Sequence, residues 1–311
     1  MSALICGSMA FDTIMVFQDK FKNHILPDKV HMLSVAFLVP ELRREFGGCA
    51  GNIAFNLKML GEEPLMMATV GQDFGPYQQW LEKFAIRTDY LTVLEDQYTA
   101  QAYITTDEDD NQITAFHPGA MNEAHLNAIT AVEESIQVGI VSPDGKVGMQ
   151  QHAEEFVAAG IDFIFDPGQG LPMFDGVELT VFLEQATWVT LNDYEAQLMQ
   201  ERTGLTLEAM AEQVKALIVT QGGEGSTIYT EGRVINIPSA PVGELQDPTG
   251  CGDAYRAGLL YGLMNDLDWE TTGRIASLLG AIKIEQKGTQ NHRFSLAEFK
   301  ARYEQSFGRS F

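Results

Sequence analysis

The chain has 311 residues, 45% apolar and 20% charged, ordinary for a soluble globular protein with one large α/β domain or two small ones. Its 20 basic and 43 acidic residues leave a net charge of −23, which disfavours nucleic acid and anionic membranes as partners. Any phosphate site must then be made locally positive by backbone N–H groups, a few Lys or Arg, or a divalent cation. Cys6, Cys49 and Cys251 are widely separated and show neither a disulfide framework nor zinc spacing, the pattern of a reducing compartment.

From the N-terminus, Met1 to Val16 has no basic start, and Asp12 interrupts its apolar run. It reads as a strand rather than a signal peptide, so a cytoplasmic location is expected. No run of about 18 uninterrupted apolar residues suggests a membrane span. Further on, short β-rich runs alternate with helical patterns. Strands are expected at Leu4–Cys6, Leu65–Val70, Val138–Ser142, Asp162–Phe165, Trp188–Leu191 and Leu217–Thr220. Helices are expected at Gly51–Leu60, Tyr77–Phe84, Val147–Ala159, Asp193–Arg202, Leu207–Val214 and Arg274–Gln286. The alternation predicts a mostly parallel central sheet covered by helices, with ligands at the carboxyl ends of its strands. Ser8, Asp12, Asn192, Gly222 and the segment at Gly250 all follow such strands.

Two regions break the pattern. Residues 11–40 and 97–117 look extended and antiparallel, and they read as a small inserted β lid over the ligand edge. Thr99–Thr106 and Gln112–His117 flank an acidic turn, Asp107 to Asn111. A calcium loop is excluded there, because Gln112 and Pro118 stand where Gly and Glu are needed. The turn reads as a solvated hairpin tip.

The densest signal is Asp247-Pro248-Thr249-Gly250-Cys251-Gly252-Asp253, followed by apolar residues at helical spacing. Glycines on both sides of one small residue let consecutive amides converge on one point. At a helix N-terminus those amides and the dipole favour an anion. Asp253 in the same turn supplies a carboxylate for proton removal, so the segment suits phosphoryl transfer to a hydroxyl. Cys251, a thiol at a helix start, is expected to have a lowered pKa and to react readily.

Asp-Pro-Thr-Gly-Cys-Gly-Asp-Ala-Tyr-Arg-Ala-Gly resembles the second signature of the ribokinase-like (PfkB) carbohydrate and nucleoside kinases. Phe46-Gly47-Gly48-Cys49-Ala50-Gly51-Asn52 resembles their N-terminal signature. Gly71-Gln72-Asp73-Phe74-Gly75, Asn192-Asp193-Tyr194-Glu195 and Thr220 to Gly225 follow in family order. Phe37-Leu38-Val39, Phe116 to Met121 and Gly288-Thr289-Gln290 are most similar to bacterial adenosine kinases. The resemblance implies a three-layer α/β/α domain spanning residues 1–311, with the lid inserted, and an ATP- and Mg2+-dependent kinase of a nucleoside 5′-hydroxyl, foremost adenosine.

In that frame Asp253 is the general base, and Gly250, Cys251 and Gly252 form the anion hole. Arg256 either reaches the transferring phosphate or makes a surface salt bridge. Asn192 and Glu195, one helical turn apart, hold Mg2+ and its waters; by residue type alone they are a helix cap and a solvated Glu. Thr220, Gly222, Gly225, Ala281 and Gly288 border ATP, although the small face Ala276, Gly280 and Ala281 also suits tight helix packing. On the acceptor side stand Ser8, Asp12, Gly47, Gly48, Asn52, Phe116 and Gln169. Asp12 suits two sugar hydroxyls, Asn52 is either a sugar contact or a cap, and Phe116 stacks on a purine or packs the lid. Ala102 stands where a second base-gripping aromatic is expected; Tyr103 and Phe37 are the substitutes, although strand alternation sends Tyr103 to the face opposite Ala102. His117 and His292 have no partners at metal spacing. The resemblance leaves a monovalent cation, K+, open as a second cofactor.

A P-loop and a dinucleotide fold both lack their glycine patterns here. The competing readings are a sugar kinase for ribose or fructose and a catalytically weak nucleotide-binding homologue. Exposed lid edges offer a route to a homodimer.

Overall fold

The computed structural model describes residues 2–25, 34–109 and 111–311. Part of the expected lid segment, residues 26–33, and Asp110 of the acidic turn therefore lie outside the described residues. In chain order the strands are β1 Ser2–Cys6, β2 Ala10–Val16, β3 Glu41–Gly47, β4 Leu65–Gly71, β5 Tyr90–Leu94, β6 Ala100–Thr106 and β7 Gln112–His117. They continue as β8 Ile136–Val141, β9 Phe163–Phe165, β10 Trp188–Asn192, β11 Ala216–Thr220, β12 Ser226–Thr230 and β13 Arg233–Ile237.

Among the described residues, nine strands form one sheet in the order β13-β12-β11-β10-β9-β8-β1-β4-β5. Pairing is parallel from β5 through β11, while β12 and β13 close one edge as an antiparallel hairpin. Both faces are buried, which explains the near-continuous apolar runs of the central strands. Alternation sends Ala3 and Ile5 into one core layer, and Leu4 and Cys6 into the other. Helices Cys49–Met59, Cys251–Met264 and Trp269–Ile284 cover the first layer, where Gly258 lets Ala276 approach its backbone closely. Helices Lys146–Ala159 and Gly176–Gln185 cover the second, with Phe165 stacked on Phe182 at 4.2 Å between ring centroids. Each such fully buried ring contributes about 1.5–3 kcal/mol relative to exposure.

The strand order runs outward in both directions from β1, so the crevice beside it is a topological switch point. A second sheet, β3-β2-β6-β7, stands over that crevice. It differs from the sequence reading in two respects. Its third strand begins at Glu41, beyond the expected 11–40 segment, and β2 pairs with β6 in parallel, so only β2–β3 and β6–β7 are antiparallel. The acidic turn is solvent-exposed at Glu108, Asp109 and Asn111, as expected, while its first carboxylate is turned inward. Asp107 is buried, and its carboxylate accepts from the amides of Phe21 at 2.8 Å, Asp109 at 3.0 Å and Asn111 at 2.9 Å.

Candidate active site

Three cavities meet at the start of helix Cys251–Met264. Gly250 caps that helix with φ +79, a left-handed conformation in which a side chain is strained. The amides of Gly250, Gly252 and Asp253 have no hydrogen-bond acceptor among the described residues, whereas Cys251 N donates to Pro248 O at 3.2 Å. The open amides of the turn are therefore those on either side of Cys251. The Cys251 thiol, beside the cavity floor, is pushed up to about 11 by burial, against the lowering effect of Lys283. The lowered pKa expected from the helix start is opposed here by this loss of hydration.

One cavity, about 410 Å3, lies between the lid and β1, lined by Ser8, Asp12, Gly48, Asn52, Ala102, Phe116, Gln169, Gly250 and Asp253, among others. Asp12, Ala102 and Phe116 are direct cross-strand neighbours on β2, β6 and β7, so they share the face turned toward it. Phe116 is half exposed there rather than packed into the lid. Tyr103 and Phe37 do not replace the missing aromatic. Tyr103 is paired with Thr13 and Ala115 on the opposite face, and Phe37 packs with Phe17 and Phe21. Met121 and Met173 line the cavity instead. A Cβ on Gly47 would fall 2.5 Å from Asp12 Oδ2, so only glycine leaves that carboxylate its place. Burial, then the charges of Asp247 and Glu45, raise Asp12 to about 6.

A second cavity, about 480 Å3, is lined by Asp166, Asn192, Glu195, Thr220, Gly222, Gly252, Asp253 and Arg256. Asn192 and Glu195 form a reciprocal cap: Asn192 Oδ1 accepts from Glu195 N at 2.7 Å, and Glu195 Oε2 accepts from Asn192 N at 2.8 Å. Glu195 is nonetheless buried rather than solvated, and burial followed by the charge of Asp166 raises its pKa. Arg256 makes no surface salt bridge. It is 5% exposed, donates from Nη2 to Asp166 Oδ1 at 2.9 Å and lies 3.9 Å from Glu195. Asp166 and Glu195 share this one guanidinium, and a divalent cation here would rest on the oxygens of Glu195 and Asn192. No three His, Cys, Asp or Glu among the described residues form a direct metal cluster, so waters and phosphate oxygens would complete its shell.

The third cavity, about 830 Å3, is lined by Thr220, Gly222, Gly225, Cys251, Gly252, Tyr255, Gly280 and Ala281, among others. Gly280 and Ala281 thus face this space, while Ala276 of the same helix serves packing. Gly288 lines none of the three cavities. It has φ +78, and its amide donates to Asp247 Oδ2 at 2.9 Å.

Asp253 borders the first two cavities at once. Burial raises it to about 6, with Asn52 as its main opposing hydrogen-bond donor. Asn52 Nδ2 donates to Asp253 Oδ2 at 2.8 Å, and Asn52 Oδ1 accepts from Gln290 Nε2 at 3.0 Å. Asn52 is not the cap of its helix, a position held by Gly48; its amide holds the carboxylate while lining the acceptor cavity. Cys49, Asp166 and Gln290 belong to this site without having been singled out from the sequence. The motifs holding Cys49 and Gln290 carried a signal, and Asp166 arrives through a tertiary contact.

A carboxylate near neutrality, between an acceptor-sized cavity and a cradle of free amides, is the apparatus of a phosphotransferase acting on a hydroxyl. Comparison with known proteins gives the lineage. The chain belongs to the pfkB family of carbohydrate kinases, whose profile matches residues 12–294. It is 33% identical to a nucleoside kinase of Methanocaldococcus jannaschii over 82% of this chain and 84% of that protein. The nucleoside kinase of Burkholderia thailandensis in complex with inosine is similar over 99% of both chains, at 48% identity and a TM-score of 0.91. The same enzyme in complex with ADP-inosine matches at 50% identity over 99% of this chain and 97% of that one, with a TM-score of 0.88. The chain is accordingly a phosphotransferase with a hydroxyl acceptor, on a ribokinase-like fold.

Proposed function

We propose that this protein transfers the γ-phosphoryl group of ATP to the 5′-hydroxyl of a purine nucleoside. The observation that carries the reading is the convergence of the acceptor cavity and the anion-facing turn on Asp253. The nucleoside occupies the lid cavity, its sugar hydroxyls on Asp12 and its base on Phe116, with Ser8, Gly48 and Gln169 in the surrounding wall. The nucleotide lies along Thr220, Gly222, Gly225 and Ala281. Asp253 takes the 5′-hydroxyl proton as that oxygen attacks phosphorus, and the amides of Gly250, Gly252 and Asp253 receive the developing negative charge. Mg2+, held through water by Glu195 and Asn192, would neutralise phosphate charge in a wall otherwise rich in carboxylates. Arg256 offsets Asp166 and Glu195 and keeps the floor from repelling ATP.

Adenosine and inosine are the acceptors to set against each other, since the inosine complex of the Burkholderia enzyme favours a purine site wider than adenosine alone. ATP consumption measured with adenosine, inosine, ribose and fructose tests the reading. Turnover with a purine nucleoside at least tenfold above that with either sugar is expected. Preference for a sugar, or no turnover with any acceptor, overturns it. A homodimer through the lid is supported by the fully exposed edge strand β7. Sedimentation at a monomer's mass would count against it.

A further inference from the structure

Lys283 is a wholly buried lysine to which the chemistry above gives no part. It lies in the last turn of helix Trp269–Ile284 and has 0% exposure. An unpaired buried ammonium is costly, so its surroundings must replace its hydration. Among the described residues it makes no ion pair; instead Nζ donates to Asp247 O at 2.6 Å and Gln286 O at 3.1 Å. Its partners are backbone carbonyls of two segments that pass each other beneath the anion-facing turn.

Those segments are tied at further points. The amides of Gln246 and Asp247 donate to Ile284 O at 2.9 and 3.1 Å. The Asp247 carboxylate accepts from Thr249 N and from Gly288 N, each at 2.9 Å. Asp247 thus leads into Gly250 with its carbonyl, amide and carboxylate all fixed, and the carbonyl is fixed by Lys283. Converging carbonyl oxygens around one positive charge form the donor set of an alkali cation. With Nζ already 2.6 Å from Asp247 O, that oxygen cluster does not fit K+ as well.

We propose that Lys283 is a tethered monovalent cation: its ammonium positions residues 246–250 for the anion-facing turn, and the protein needs no K+ there. The inference rests on the kinase reading above, and its test also has a readout that does not depend on activity. Wild-type turnover should agree within about twofold in KCl, NaCl and choline chloride of equal ionic strength, and thermal unfolding in KCl and choline chloride should coincide. Lys283→Ala should lower kcat by about 10–100-fold with a smaller change in acceptor KM. K+ or methylammonium, but not choline, should restore part of that loss and raise the variant's unfolding temperature.

Wild-type activation or stabilisation by K+ of more than about fivefold or 3 °C overturns the proposal. So does a Lys283→Ala protein with wild-type kcat, or one indifferent to small cations. If Lys283→Ala does not fold, Lys283→Met and the wild-type salt series decide it. If no acceptor turns over, the kinase reading fails, and the unfolding measurements still judge Lys283.

Discussion

Asn52 Nδ2 lies 2.8 Å from Asp253 Oδ2, joining the first turn of helix Cys49–Met59 to the first turn of helix Cys251–Met264. The contact crosses from the lid-side motif to the phosphate-side motif, 201 residues apart in sequence. Because Asn52 donates, it favours the charged form of Asp253, opposing the burial that raises this carboxyl to about 6. Removing the donor in Asn52→Ala should raise the Asp253 pKa further. The acidic limb of kcat/KM against pH should shift upward by about one unit, and kcat should fall by roughly 10–100-fold. A limb that stays in place would mean that Asp253 is not the group whose ionisation is read.

Replacing the carboxylate itself gives a different signature. Asp253→Asn should bind ATP and lose on the order of 10²–10⁴-fold in turnover. Its stability should change in the opposite sense. The folded-state pKa of about 6 lies above the ordinary carboxyl value of 3.8, so between these values the folded state holds more proton than the unfolded one. Wild-type stability attributable to this group therefore falls as pH rises through that window. Thermal unfolding at pH 7 should find Asp253→Asn at least as stable as wild type. A variant that unfolds several degrees lower at pH 7 would contradict the burial argument.

Asp144, in the wall of the acceptor cavity, offers the same linkage. It is 2% exposed, its Oδ2 has no partner among the described residues, and burial raises it to about 8. Its only opposing contact is the amide of Gly145, which donates to Oδ1 at 2.9 Å. The unfolded chain ionises near the ordinary carboxyl value of 3.8, so folding loses stability from this group as pH climbs toward 8. Unfolding temperatures of Asp144→Asn relative to wild type should move in the variant's favour by several degrees from pH 5 to pH 8. A difference independent of pH would show that Asp144 ionises freely in the folded protein.

How far the sequence could be read depended on where the signal was stored. The strands β1, β4, β8, β9, β10 and β11 are apolar on both faces, so composition alone located them. Tyr90–Leu94 and the hairpin Ser226–Thr230 with Arg233–Ile237 are partly exposed edge elements, and they did not stand out. The glycine turn at Gly250 was legible because its chemistry is local. Arg256 was not: its partner Asp166 lies 90 residues away, and no local pattern distinguishes a buried ion pair from a surface one. Cys251 departs from its expectation for a related reason, since its helix-start position is visible in sequence while its partial burial is not.

The thiol supplies a direct check. With its pKa near 11, Cys251 is almost wholly protonated at pH 7.5, and alkylation by iodoacetamide should be slow. The rate should climb about tenfold per pH unit up to pH 10, following the thiolate fraction. Cys251→Ala should retain turnover within about threefold, because the free amides beside it belong to Gly250, Gly252 and Asp253. Rapid alkylation at pH 7.5 would restore the helix dipole as the dominant influence.

Phe116 separates the base from the sugar. Its ring is half exposed on the lid face that also carries Asp12, two strands away across Ala102. One stacked base is worth about 1–3 kcal/mol, so Phe116→Ala should raise KM for a purine nucleoside roughly 10–100-fold. Because the proposed function sets the ring against the base and not the reacting atoms, kcat should change by less than about fivefold. Ala102→Phe tests the same face from the other side. Ala102 is the cross-strand neighbour of both Asp12 and Phe116, so a ring there either adds a second stacking surface or fills the space beside Asp12. Stacking lowers KM for purine nucleosides alone, whereas crowding raises KM for every acceptor that presents sugar hydroxyls to Asp12. Unchanged kinetics for Phe116→Ala across all acceptors would remove the base from this face of the lid.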